Sequence, residues 1–199
     1  IRRGQLIALG SGQESLLDQM KALLPPPHGT KTLNWHYRSK CESLIAFSNA
    51  QEDLYDWRLT TFPNAGDGNC VSHVLAPFTA GVEEASASAK AEVQKVVDLV
   101  IRHAEERSEQ SLGVIALGSS HANRIEDELR KLLELRSDLE EFFEKSGSEP
   151  FFIKNLERVQ GDERDAIILT TGYSKTKDGR MRYNFGPINQ EGGYRRLNV

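Results

Sequence analysis

The chain has 199 residues, 38% hydrophobic and 27% charged, a length and balance that suit one globular α/β domain. No apolar run approaches the roughly 20 residues needed to cross a bilayer, which excludes a helical membrane protein. The net charge of −4 is local, because residues 126–149 hold nine acids and four bases.

Cys41 and Cys70 give neither a disulfide framework nor a metal-ligand spacing, and the five histidines are scattered singly. A reducing cytoplasm and no metal site are therefore expected. Ile1 stands ahead of Arg2 and Arg3 with no signal-peptide pattern, and Arg195 to Val199 resembles no natural ending, so an excised piece is expected.

In chain order, residues 15–24 repeat apolar side chains at helical spacing, and Pro25, Pro26 and Pro27 stop them. TLNWHYR then reads as a strand. Ser39 and Glu42 have capping-box spacing, which predicts a helix through about Asn49 with Arg38 just before its start. Residues 60–70 have loop composition, and CVSHVLAPF is the next predicted strand. Val93, Val96, Val97, Val100, Ile101 and Ala104 form one stripe and predict a core-facing helix from 89 to 107. LGVIALG (112–118) reads as a buried strand, followed by a helix carrying Ala122, Ile125, Leu129, Leu132 and Leu133, with 134–147 continuing helical. PFFIK and AIILTT supply two more strands. The alternation predicts βαβ units around a mainly parallel sheet flanked by helices.

In such a sheet, ligands bind outside the carboxyl ends of the strands. Four polar segments qualify there: 36–39, 118–121, 155–165 and 192–198. No Walker A pattern exists, and Gly10-Ser11-Gly12 and Gly66-Asp67-Gly68 lack the third glycine of a dinucleotide loop. No nucleophile elbow and no metal cluster occur. As a free-standing catalyst the chain looks incomplete. Lys175, Lys177, Arg180 and Arg182 cluster beside Tyr173 and Tyr183, a composition common in solvated hairpins that would also track a phosphate backbone.

LNWHYRSKCESLIAFSN resembles motif IV of superfamily 1 helicases, NLERVQGDERDAIIL resembles motif V, and GGYRRLNV resembles the first half of motif VI. The Gln-Gly-x-Glu-x-Asp form resembles the 1B branch, which includes Upf-type helicases and moves 5′→3′. The resemblance implies a RecA-like three-layer second motor domain over 31–199, cut within motif VI, with residues 1–30 matching poorly. Motif VI normally continues to a further arginine that contacts the γ-phosphate, which would lie past Val199.

The resemblance further implies that ATP and Mg²⁺ are held mainly by a first RecA-like domain of the same polypeptide. Tyr37 would stack on adenine. Arg38 would meet the γ-phosphate as an arginine finger, a device worth roughly 10³–10⁵ in rate. Glu163 would act on the ribose or γ-phosphate side, with Gln160 and Gly161 bringing backbone close. Arg195 and Arg196 match the motif's first arginines, Arg196 on the nucleotide side. Asn155, Ser119, Ser120 and His121 would touch single-stranded DNA or RNA, the last three because they open a helix whose free N–H groups attract phosphate.

Simpler roles stand beside these. Tyr37 could be a core aromatic, Arg38 a partner of Glu42, residues 163–165 an ordinary charged turn, and His121 a polar helix-start residue. Trp35 and Trp57 are expected to pack. The whole chain could instead be a non-catalytic RecA-like module that docks nucleic acid or protein. A nuclease ranks last, since no Glu-x-Lys occurs.

Overall fold

The valine stripe becomes the inner face of α3 (Lys90–Glu106), where Val97 and Val100 are fully buried. Each such side chain contributes about 1.5–3 kcal/mol relative to exposure. The computed structural model describes residues 16–24, 31–39, 41–52, 54–62, 70–77, 89–144, 149–176, 179–181, 183, 185–191, 193 and 197. The chain divides into two compact units, Ile1–Ser72 and His73–Val199.

The second unit holds β1 (Leu112–Ala116), α4 (Ser119–Leu133), the short α5 (Glu140–Glu144), β2 (Phe152–Asn155) and β3 (Ala166–Thr170). The three strands form a parallel sheet in the order β2-β1-β3, as the βαβ pattern predicts. Every residue of β1 is buried, as its unbroken apolar run requires of a central strand. Leu112 and Val114 face the stripe of α3 together with Ile125 and Leu129 of α4. On the other face, Ile115 packs with Phe152, Leu156 and Val159. Gly113 sits opposite Phe152 in the ladder, and a Cβ there would lie 2.5 Å from the Phe152 ring. Glycine is what lets that ring lie across the sheet.

The helicity expected over 134–147 is broken at 134–136 and resumes as a 3-10 turn at Ser137–Leu139 and α5 at Glu140–Glu144, while 145–147 lie outside the described residues. α4 stops at Leu133, and Arg136 pairs at 2.7 Å with both Glu105 of α3 and Asp138. Those two carboxylates hold the guanidinium even more firmly protonated than usual, and Arg136 in turn pulls the Asp138 carboxyl below its ordinary range.

The first unit departs further from expectation. α1 spans Leu16–Leu23, but TLNWHYR makes only one parallel bridge, Trp35 to Thr60, because no longer partner segment pairs with it among the described residues. The Ser39 capping box does not form. The Ser39 hydroxyl pairs with the His36 ring at 2.8 Å, the Glu42 carboxylate accepts from Thr61, and α2 (Ser43–Ala50) starts five residues after Arg38. Asn49 is buried and latches the helix end to Leu59 through both its amide atoms, at 3.0 and 3.2 Å.

CVSHVLAPF is not a strand in its described residues, 70–77, because it joins no ladder. Trp35 and Trp57, expected to pack, are each 69% exposed. The cysteines, expected free, form a Cys41–Cys70 disulfide. A separation of 29 residues carries no local pattern, and folding brings the two Cα atoms to 6.2 Å, within disulfide reach. The case for a reducing compartment drawn from these cysteines falls with it. No described helix is long and apolar enough to cross a membrane.

Candidate functional site

The sequence-predicted residues fall into both units. Tyr37 and Arg38 belong to the first. Tyr37 is 86% exposed and so is not a core aromatic. Arg38 is also exposed. Arg195 and Arg196 lie outside the described residues.

In the second unit, Asn155 ends β2 opposite Ala116, the last residue of β1. Ser119 and Ser120 open α4 three residues beyond that end and are exposed. Together these three mark the carboxyl edge of the sheet. The Asn155 side-chain oxygen is buried without a hydrogen-bond partner.

The segment 156–165 was expected at that same edge, and only its beginning is there. After a 3-10 turn at Leu156–Arg158, the Asp162 N–H donates to the Val159 carbonyl at 3.0 Å. This closes a tight turn in which Gly161 takes φ +88°. A side chain at that φ is strained, which explains the glycine between Gln160 and Asp162. The chain then descends. Lys154 holds Asp162 at 2.6 Å. The Arg164 guanidinium lies 4.7 Å from the centre of the Phe152 ring and donates to the Pro150 carbonyl. Asp165 accepts from the Ser111 N–H and hydroxyl at 3.0 and 2.9 Å, at the amino end of β1.

Arg164 and Asp165 are therefore committed to holding the loop and the start of β3. Gln160, Gly161 and Glu163 are exposed along it. The sheet thus separates two groups: Asn155, Ser119 and Ser120 at its carboxyl edge, and Glu163 toward its amino edge.

His121 departs from its expected surface role. Its ring is 3% exposed and sits 2.9 Å from the Thr170 hydroxyl at the end of β3. That hydroxyl donates to Glu92 at 2.7 Å, so its one proton is spent and the His121 Nε2–H must be the donor to Thr170. Burial pushes the His121 pKa down; the Glu92 carboxylate partly opposes this and Arg124 adds to it. The same Glu92 oxygen accepts from the N–H groups of Thr171 and Gly172, at 3.1 and 2.9 Å. Gly172 has φ +71°, and a Cβ on it would meet the His121 ring at 2.6 Å.

Glu92, Thr170 and Gly172 escaped sequence reasoning. The available signal was a Thr-Thr-Gly turn directly after an apolar strand, together with an acid bordering the valine stripe. Among the described residues, no group of His, Cys, Asp or Glu side chains could hold a metal ion.

Two relatives match the chain. The uncharacterized ATP-dependent helicase MG140 of Mycoplasma genitalium is 33% identical over 178 residues, which cover 84% of this chain and 14% of that protein. Its homolog in Mycoplasma pneumoniae is 33% identical over 176 residues, with the same coverage. The chain thus spans about one-seventh of the length of the curated relatives it matches. No protein-family model and no solved structure matches it.

Proposed function

We propose that this chain is the second RecA-like motor domain of an ATP-dependent superfamily 1 helicase or translocase acting on single-stranded nucleic acid. The observation that carries this is the loop between β2 and β3: the Lys154–Asp162 pair and the hydrogen bonds of Arg164 to Pro150 and of Asp165 to Ser111 fix it, and it presents Gln160, Gly161 and Glu163 at the surface. The likeness to two proteins named ATP-dependent helicases supports the same reading.

ATP and its Mg²⁺ would be held mainly by a first motor domain. From this chain, Tyr37 stacks on adenine, Arg38 neutralises charge developing on the γ-phosphate, and Glu163 accepts hydrogen bonds at the ribose or γ-phosphate side. Gln160, Gly161 and Arg196 complete that set. Ser119, Ser120 and Asn155 meet the nucleic-acid backbone. His121 serves them from inside, by fixing the turn after β3.

The test is steady-state ATPase of the full-length protein with and without single-stranded oligonucleotide. Arg38→Ala lowers kcat by roughly 10³ with little change in KM, while Tyr37→Ala acts mainly on KM. A full-length protein without oligonucleotide-stimulated ATPase, or an Arg38→Ala enzyme of undiminished kcat, sinks the motor function and leaves a binding module.

A further inference from the structure

We propose that the hairpin following β3, residues 173–183, is a stacking platform for single-stranded nucleic acid, with Tyr183 taking a base and Lys175 and Arg180 the adjacent phosphates. This rests on the nucleic-acid function above and assigns part of it to an element which that function does not use.

The hairpin is built and anchored. Lys175 and Met181 form an antiparallel bridge. The Thr176 N–H donates to the Arg180 carbonyl at 2.8 Å, and the Gly179 N–H donates to Thr176 at 2.8 Å, closing the tip. Gly179 takes φ +77°, which suits a turn of this tightness. At the root, Gly172 is gripped by Glu92 and pressed against His121. Phe185 stands edge-on to Tyr173 at 5.0 Å and to Tyr183 at 6.4 Å. The Asn189 amide donates to the Tyr183 carbonyl at 3.0 Å and accepts from the Phe185 N–H, tying those two backbone groups together. Tyr183 is nevertheless 75% exposed.

An exposed aromatic ring beside basic side chains is the arrangement that base stacking needs, since every base offers a π-face. The charge selects the partner. Residues 173–183 hold four basic residues and one acid in a chain of net charge −4. Lysine is depleted at protein interfaces and favoured along phosphate backbones.

The experiment is fluorescence anisotropy of labelled oligo-dT and oligo-U with the full-length protein over a series of salt concentrations, alongside the oligonucleotide-stimulated ATPase. Tyr183→Ala weakens binding roughly tenfold while Tyr183→Phe stays within about twofold, the signature of a stacked ring. Lys175→Gln with Arg180→Gln, at exposed positions that carry no core packing, flattens the slope of log affinity against log salt by about 1.4. Wild-type binding that all of these variants match in strength and slope overturns the platform while leaving the motor intact; a hairpin that docks protein would give that result. Absence of both oligonucleotide binding and stimulated ATPase in the wild type overturns the motor function, and the platform with it.

Discussion

The carboxylate of Glu92, in the first turn of α3, accepts a 2.7 Å hydrogen bond from the hydroxyl of Thr170, 78 residues further along the chain. With the N–H groups of Thr171 and Gly172 on the same oxygen, this one side chain closes the exit of β3. Glu92→Ala removes the acceptor from these three donors and from the Thr171 hydroxyl, and stability falls by about 1–3 kcal/mol. Glu92→Gln keeps a carbonyl oxygen in place and costs less. Urea unfolding of the two variants checks the order; equal losses would mean that the hydrogen bonds at this oxygen are not what matters.

His121 predicts a pH dependence of definite sign. Its folded pKa lies below the ordinary histidine value of 6.5, so in acid the unfolded chain binds the proton that the folded chain refuses. The unfolded state then gains, and the stability lent by the neutral ring is present above about pH 6.5 and declines as pH falls below it. His121→Gln keeps a donor for Thr170 without titrating. Melting temperatures taken from pH 7.5 down to 5.5 should fall less steeply for that variant than for the wild type.

Gly113→Ala places a methyl group 2.5 Å from the Phe152 ring, and overpacking of this kind costs about 1–3 kcal/mol. The penalty belongs to the pair. In a Phe152→Leu background the same substitution should cost markedly less, and a double-mutant cycle read by urea unfolding reports the coupling. Additive losses would place the strain elsewhere.

The Cys41–Cys70 disulfide joins positions 29 residues apart, a loop for which crosslinking stabilises by about 3.6 kcal/mol. Alkylation under denaturing, non-reducing conditions followed by mass measurement should find no free thiol. Reductant, or Cys41→Ser with Cys70→Ser, should lower the stability of the first unit and leave the unfolding of the parallel sheet unmoved.

The second unit was largely legible in the sequence because its signals are local and repetitive. A stripe from Val93 to Ala104 has one physical meaning, and so does an apolar run such as LGVIA between turn residues. Legibility failed where a partner distant in the chain decides the outcome. CVSHVLAPF has strand-like composition yet joins no ladder in its described residues. Glu92 looks like any acid on a solvated helix face until Thr170 folds against it. His121 has the sequence surroundings of a polar helix start, and only the position of β3 turns it inward. The motif-like stretch 155–165 was recognisable by residue type, whereas its descent from one edge of the sheet to the other depends on the Arg164–Phe152 and Asp165–Ser111 contacts.

Among the described residues, the strand at the centre of the sheet is the first of its three in chain order. During synthesis β1 leaves the ribosome before either neighbour exists, and β3, which supplies its second ladder, is complete only at Thr170. Until β2 follows, the stripe of α3 and, once made, α4 are what shelter β1. Early docking of these helices would make assembly of the sheet a late, ordered event, and a stop in translation ahead of residue 166 would leave one side of the central strand open to other chains.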